Sequence, residues 1–294
     1  MDGILAARPQ TGGPTSKEPL TMVNPEIKSY RVPTSHGAIA VDEVGKGKTQ
    51  VVFVHGNSSC GRIFRHQMLG PLSRSCRLLA LDLPGHGASD DAIDPYRTYT
   101  RPGFADAIIE ALRVLSISEP IVFGWSLGGH IAIEMAARFQ GIRGLMISGT
   151  PPVGRNDAAL GFRTSGHGAL GRKRNLSSTE IVDFARGMAG DRVDDFLREA
   201  IARCDGRARE ILFQARDAGA GVDQRKLVES NPMPLAVVNG EDDPFIHLDF
   251  LDGISYANLW EARCHRLPGV GHAPFWGAPA LFNPILERFV REIA

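Results

Sequence analysis

Several features common in other protein classes are missing from this chain of 294 residues. It has no run of about 18 to 20 apolar residues, the length that a membrane-spanning helix needs. Its charge is balanced, with 33 Lys and Arg against 33 Asp and Glu, so the chain as a whole has no excess of positive charge. A strongly basic balance is typical of proteins that bind nucleic acids or anionic membranes. We therefore expect no membrane insertion and no nucleic-acid partner.

Cysteine is also scarce, and none of the four cysteines forms a C-x-x-C pair. The first 24 residues are rich in Pro, Gly, Ser and Thr and lack the apolar stretch of an export signal. This pattern predicts a flexible tail over residues 1–24, reduced thiols and a cytoplasmic location. The sequence contains neither H-x-H-x-D-H nor H-E-x-x-H, so we expect no metal site and no other cofactor. The four cysteines are Cys60, Cys76, Cys204 and Cys264.

Short, nearly continuous apolar runs recur along the chain, as is typical of parallel strands covered on both faces. Two alternating stretches across a His-Gly turn precede them, at residues 28–44, and predict an antiparallel hairpin. Helical periodicity lies between and after the runs, so the chain reads as an α/β fold. The runs cover residues 50–54, 77–81, 120–123, 143–148 and 234–239.

The alternation of strands and helices stops between Pro151 and Pro232. Three amphipathic segments there, beginning SSTEIV, DRVDDF and DGRARE, have Asp, Ser or Thr near their starts and predict helices. We interpret residues 151–232 as a helical cap over the carboxyl edge of the sheet. The core would then comprise residues 25–150 and 233–294.

Ser126 stands between two glycines in the segment FGWSLGG, a G-x-S-x-G pattern. The preceding run predicts a strand and the following residues predict a helix, so the serine lies on a sharp strand-to-helix turn that exposes its hydroxyl. Gly124 and Gly128 would keep this turn free of steric clash. The alternative is that Ser126 only caps the helix. That alternative does not explain a glycine on each side.

A serine nucleophile needs a base and an acid that orients it, and in this kind of fold they follow the serine in the order acid, then histidine. Asp243 lies in the loop after the run 234–239, with Glu241 and Asp242 as competing candidates. His272, in the segment VGHAPF, lies just before the last predicted helix. The sequence therefore predicts Ser126, His272 and Asp243 as catalytic residues.

Acyl transfer also needs two donors for the oxygen that becomes negatively charged. The amide of Leu127, directly after the serine, is one candidate. The second is the amide of Asn57 in the segment VHGNSS after the first parallel strand, with Ser58 as the alternate. An ordinary Gly-Asn turn would produce the same local sequence.

The segments HGN, DLPGHGAS, GWSLGG, GEDDPF and GHAPF, in this order, resemble the α/β-hydrolase superfamily from about residue 30 to the end. The resemblance implies an α/β-hydrolase fold, with a mostly parallel central sheet flanked by helices and a helical cap insertion. It also implies Ser126 as nucleophile, His272 as base and Asp243 as acid, with Asp82 and His86 fixing loop geometry. Haloalkane dehalogenases and epoxide hydrolases of this fold use a carboxylate nucleophile, so Ser126 argues against both.

A closer similarity links the chain to metal-independent hydrolases of N-acyl-homoserine lactones, the quorum-quenching lactonases. The segments that carry it include DGRAR in the cap and NLWE near Asn258, both outside the catalytic motifs, besides HGNSS, FGWSLGGHI and GTPPV. Two positions depart from that group. Asp243 stands where a glutamate is expected, and Phe184 where a cap tyrosine is expected.

This resemblance implies a serine hydrolase that opens the lactone ring through an acyl-enzyme intermediate. The small-molecule substrate would be an acyl lactone or ester. Three alternatives remain open: a broad-specificity carboxylesterase, a hydrolase of carbon–carbon bonds, and a ligand receptor that turns over slowly. We expect a monomer or a small homo-oligomer. The candidate side chains for the acyl tail are Phe64, Trp125, Phe184 and Phe275.

Overall fold

The structure is a computed structural model that describes residues 26–155, 157–164, 166–190 and 194–294. The predicted tail over residues 1–24 lies outside these ranges. Within them the chain forms eight strands in one sheet. The strands are β1 (Lys28–Val32), β2 (Ile39–Val44), β3 (Thr49–Val54), β4 (Cys76–Leu81), β5 (Ile121–Trp125), β6 (Gly144–Ser148), β7 (Leu235–Gly240) and β8 (His265–Leu267).

The sheet has the order β1-β2-β4-β3-β5-β6-β7-β8. Strands β1 and β2 pair antiparallel, and β2 also pairs antiparallel with β4. All the remaining pairs are parallel. The predicted hairpin and the predicted parallel sheet are therefore both present. Strand β8 has only three residues, too few for the apolar run by which the other parallel strands were predicted.

Thirteen α-helices surround this sheet in the described part of the chain, together with three short 3-10 segments, Gly61–Phe64, Pro71–Arg74 and Trp260–Ala262. The α-helices are α1 (Arg65–Met68), α2 (Pro95–Thr98), α3 (Arg101–Val114), α4 (Leu127–Arg138), α5 (Ala158–Gly161), α6 (Gly166–Leu170), α7 (Ser178–Ala189), α8 (Asp195–Arg203), α9 (Gly206–Asp217), α10 (Gln224–Ser230), α11 (Leu248–Asp252), α12 (Pro274–Gly277) and α13 (Pro279–Ile293).

The hydrophobic core consists of two layers, one on each face of the sheet. Val52 and Val54 of β3 belong to the layer that includes α3 and α4, whereas Val51 and Phe53 belong to the layer that includes α12 and α13. Successive side chains of a strand point to opposite faces, so a continuous apolar run fills both layers. The polar groups of a site are then left to the loops at the strand ends.

Helices α5 to α10 lie between β6 and β7 in the chain, and we refer to residues 151–232 as the cap. Asp205, the residue directly before α9, attaches the cap to the core. Asp205 accepts a hydrogen bond from the Tyr99 hydroxyl at 2.6 Å, and its amide donates to the carbonyl of Gly85 at 2.8 Å. In the described residues no helix is both long and apolar enough to cross a membrane.

Candidate active site

Ser126 lies at the junction of β5 and α4 in a strained backbone conformation. Its φ of 54° and ψ of −119° place a residue with a Cβ in a region that side chains disfavour. Such a conformation costs about 1–3 kcal/mol and persists only where the surroundings hold it. Its amide donates to Ser148 O at 2.8 Å, and its carbonyl accepts the Thr150 hydroxyl at 2.9 Å.

The glycines around the serine are required by close backbone approach. A Cβ on Gly128 would overlap the carbonyl of Val54, and one on Gly124 would overlap the carbonyl of Gly128. The Ser126 side chain makes no capping hydrogen bond to α4. The alternative interpretation, a serine that only caps the helix, is therefore not what the structure contains.

His272 and Asp243 form a buried hydrogen-bonded pair, with His272 Nδ1 2.7 Å from Asp243 Oδ2. The second carboxylate oxygen accepts the Phe245 amide at 2.8 Å. Because an ionised carboxylate can only accept a hydrogen bond, Nδ1 is the donor of this contact, and Nε2 is left for another partner. Glu241 and Asp242, the competing acids, are both exposed, so of the three only Asp243 contacts the histidine.

A cavity of about 420 Å³ reaches Ser126, Leu127, His272 and Asn57. Its position above the carboxyl ends of the parallel strands is where this class of fold binds ligands. Most of its wall is apolar and comes from the cap and from the loop after β7. The apolar side chains that line it include Val153, Phe162, Phe184, Met188, Leu212, Phe213, Phe245 and Ile246.

The backbone amides of two residues that line this cavity, Leu127 and Asn57, are candidates to bind an anion. Leu127 is the first residue of α4, and the first amides of a helix have no acceptor within it. Within the described residues, neither this amide nor that of Asn57 donates another hydrogen bond. Ser58, the alternate to Asn57, is completely buried and does not line the cavity.

Of the four aromatic side chains predicted to bind the acyl tail, the structure places Phe184 at the cavity. The prediction for Phe64, Trp125 and Phe275 is wrong, because none of them has exposed surface and none lines the cavity. Trp125 shares a strand face with Phe123, so its ring points into the core layer beneath the sheet. Its ring contacts that of Phe275, which stacks on Phe64 at 5.0 Å between centroids.

Five basic residues at the cavity were not predicted from the sequence. Four are arginines, and the fifth is His130, which lies one helical turn after Ser126 on α4. Its Nδ1 lies 2.6 Å from Gln224 Oε1, and burial together with the charge of Arg101 lowers the pKa of His130 to about 3. The i, i+4 spacing from Ser126 is the one sequence signal for it. The arginines are Arg101, Arg163, Arg172 and Arg216.

The other histidines that follow strands have structural contacts. His55 Nε2 accepts the Leu83 amide at 3.0 Å, and burial lowers the pKa of His55 to about 3. His86 Nδ1 lies 2.9 Å from the carbonyl of Pro84. Asp82 accepts the amides of Gly61 and Ala88, at 2.6 and 2.8 Å, and so joins two loops. Among the described residues, no group of three or more His, Cys, Asp or Glu could hold a metal ion.

The fold and this site define a hydrolase of the α/β class. The model of the alpha/beta hydrolase family matches residues 51–285, and the chain belongs to this family. The AB hydrolase superfamily protein YisY of Bacillus subtilis is 32% identical over 86% of this chain and 96% of its own length. A pimeloyl-[acyl-carrier protein] methyl ester esterase of Nitrosospira multiformis is 26% identical over 86% of this chain and 98% of its own.

Solved structures add a nearer likeness. The N-acyl homoserine lactonase AidH, as a mutant complexed with N-hexanoyl homoserine, is 46% identical, with a TM-score of 0.90 over 92% of this chain and 98% of that one. Another AidH structure is complexed with N-butanoyl homoserine, at 46% identity and a TM-score of 0.89 over 91% and 98%. The resemblance to acyl-homoserine lactonases that the motifs predict is confirmed.

Proposed function

We propose that this protein is a serine hydrolase that opens the lactone ring of N-acyl-homoserine lactones, and so a quorum-quenching enzyme. The observation that carries the proposal is the cavity itself, since Ser126 and His272, which is paired with Asp243, both line it beneath an apolar wall. The 46% identity to AidH, whose solved complexes hold acyl-homoserine ligands, supports this substrate class.

In the proposed reaction His272 Nε2 removes the proton of Ser126 Oγ as that oxygen attacks the lactone carbonyl. The carbonyl oxygen becomes negative and accepts hydrogen bonds from the amides of Asn57 and Leu127. The intermediate collapses by breaking the ester C–O bond of the ring. His272 returns its proton to the ring oxygen, which becomes the free hydroxyl of an acyl-enzyme.

Water completes the reaction. His272 Nε2 takes a proton from water as the water oxygen attacks the acyl carbonyl carbon. The bond between that carbon and Ser126 Oγ then breaks, and His272 gives the proton to Oγ. The product is N-acyl-homoserine. Because the leaving hydroxyl stays tethered to the acyl group, it competes with water and can close the ring again. Rapid attack by water is therefore what makes ring opening productive.

Asp243 would orient His272 and stabilise its protonated form through the 2.7 Å hydrogen bond. Aspartate is one methylene shorter than the glutamate expected in the related lactonases. The short distance in this pair supports Asp243 as a working substitute. The Asp243 carboxylate reaches the imidazole from the loop directly after β7, with its other oxygen held by the Phe245 amide.

A broad carboxylesterase is the second candidate. The same residues act on unstrained esters, and the relative from Nitrosospira multiformis carries the name of a methyl ester esterase. The two functions differ in their relative rates on lactones and on linear esters of matched acyl length.

We also propose a cytoplasmic location, in keeping with four free cysteines. We propose a monomer or small homo-oligomer, and light scattering would determine which.

The test uses purified protein and Ser126→Ala with butanoyl, hexanoyl and decanoyl homoserine lactones, followed by mass spectrometry for the addition of water. Ser118→Ala, an exposed serine outside the cavity, is the control. Ring opening by the parent and the control, but not by Ser126→Ala, supports the proposal. If the lactones stay intact while p-nitrophenyl butyrate is cleaved, the protein is an esterase and the lactonase proposal is wrong.

A further inference from the structure

The cap motif DGRAR contains a buried cation with no carboxylate partner in the described residues. Arg209, on α9, is only 4% exposed and makes no ion pair with Asp or Glu there. It donates instead to three neutral oxygens: Lys173 O at 2.6 Å, Arg174 O at 2.8 Å and the Ser58 hydroxyl at 3.0 Å. Burying a charge is costly unless it is well hydrogen-bonded. Packing alone therefore does not explain why an arginine is buried at this position.

Ser58 connects this guanidinium to the loop after β3. The residue has a positive φ of 57°, a conformation that a serine adopts only when its surroundings hold it. The Ser58 hydroxyl accepts a hydrogen bond from Arg209. It has two possible acceptors for its own proton: Asn57 Oδ1 at 3.1 Å, which is the nearer, and Cys204 Sγ at 3.6 Å. Arg209 therefore fixes the Ser58 side chain by a hydrogen bond, and Ser58 in turn fixes the Asn57 side chain.

A second route leads from Arg209 to the same residue. The Asn57 side-chain amide donates to the carbonyl of Gly171 at 2.9 Å. Gly171 lies two and three residues before Lys173 and Arg174, whose carbonyls Arg209 binds. Both ends of the Asn57 side chain are therefore tied to groups that this one guanidinium positions.

We propose that Arg209 is a positioning residue that builds half of the oxyanion hole from the cap, by fixing the backbone amide of Asn57 at the cavity. This inference rests on the proposed acyl-transfer function, in which that amide binds the oxyanion. Oxyanion donors stabilise the transition state far more than the bound substrate, and they act only when held at the right place. Loss of Arg209 should therefore lower kcat much more than it raises KM.

Lysine cannot replace this arginine. The three acceptors are reached by Nε, Nη1 and Nη2, one from each nitrogen of the planar group. A lysine ammonium is a single centre on a flexible stem and cannot reproduce that fork. Arg209→Lys should therefore behave more like a deletion than like a conservative change.

Arg207 provides the matched control. It belongs to the same motif and the same helix, but its side chain is 39% exposed and pairs with Asp205. It makes no hydrogen bond to the loop after β3 among the described residues. Arg207→Met removes the same number of atoms and the same charge as Arg209→Met, without touching the path to Asn57.

The experiment measures kcat and KM for hexanoyl homoserine lactone and for p-nitrophenyl butyrate, with thermal unfolding of each variant. We expect kcat to fall about 10- to 100-fold in Arg209→Met and Arg209→Lys, with KM within about threefold, because losing a whole donor costs about 100- to 1,000-fold. Arg207→Met should keep kcat within about twofold. Ser58→Ala, which cuts one of the two routes, should lower kcat about three- to tenfold.

The outcomes separate this inference from the proposed function. If the parent cleaves only the ester, the lactonase proposal fails, and the ester kinetics still test Arg209. A folded Arg209→Met that keeps its kcat, or that changes KM alone, overturns the inference. Should the Arg209 variants fail to fold, Ser58→Ala decides instead: a folded Ser58→Ala with unchanged kcat overturns the inference, and a selective loss of kcat supports it.

Discussion

Asp243 Oδ2 lies 2.7 Å from His272 Nδ1, in a pair whose side chains are 0% and 4% exposed. Water is nearly excluded from this contact, so the carboxylate sets which nitrogen of the ring carries the proton. The neighbouring acids Glu241 and Asp242 point to solvent.

Asp243→Asn should lower kcat about 1,000- to 10,000-fold, because an amide nitrogen can donate to Nδ1 and impose the wrong histidine tautomer. Steady-state kinetics on hexanoyl homoserine lactone would measure this loss. Asp242→Asn, the exposed neighbour, should keep kcat within about twofold. Equal losses in the two variants would contradict the role of Asp243.

Ser126→Gly should be more stable than Ser126→Ala by about 1 kcal/mol, since only glycine relieves the cost of φ 54°. At an ordinary position glycine is the less stable of the two by about 0.4–1 kcal/mol. The melting temperature should therefore be higher for the glycine variant, by about 2 °C. Calorimetry on both inactive variants would check this, and an alanine variant as stable as the glycine variant would exclude strain at Ser126.

The cavity volume predicts a dependence on acyl length. The cavity has about 420 Å³ and a mostly apolar wall, so each added methylene of a short acyl tail gains apolar contacts there until the tail extends beyond the cavity. We expect kcat/KM to rise from butanoyl to hexanoyl and to change by less than about threefold from hexanoyl to decanoyl. Competition assays with mixed lactones would measure these ratios. A continuing steep rise to decanoyl would show that the acyl tail binds elsewhere.

Phe184→Ala should reduce kcat/KM for hexanoyl homoserine lactone about tenfold by removing apolar contacts with the acyl tail. The loss should be smaller for decanoyl, whose longer tail can fill the vacated space. Phe64→Leu is the contrasting variant, because Phe64 is completely buried away from the cavity. It should lower the free energy of unfolding by about 1–2 kcal/mol and leave KM unchanged.

His130 should make the protein less stable in acid. Burial lowers its pKa from 6.5 to about 3, so between these values the unfolded chain binds a proton that the folded chain does not. Above pH 6.5 the histidine is neutral in both states, and the free energy of unfolding has its full value. As the pH falls from 6.5 toward 3, proton binding by the unfolded chain lowers that free energy. His130→Gln should reduce the slope of unfolding free energy against pH by about 1.4 kcal/mol per unit near pH 4–5. Urea titrations at pH 4, 5 and 7 would measure the slopes.

Much of this molecule follows from local sequence signals. The apolar runs predict the parallel strands because a strand covered on both faces needs apolar side chains at every position. Ser126 is recognisable because its turn needs Gly124 and Gly128 beside it. His272 is recognisable by its place before the last helix.

Tertiary structure decided the choices that depend on direction and burial. The sequence places three acids side by side, and only the fold buries Asp243 against His272. The sequence gives no signal that distinguishes Trp125 from Phe184 as a cavity residue. Only the strand register turns Trp125 into the core, and only the packing of α7 places Phe184 at the cavity. The link from Arg209 to Asn57 joins residues more than 150 positions apart in the chain. Such contacts have no local signature, because they exist only once the cap has packed on the sheet.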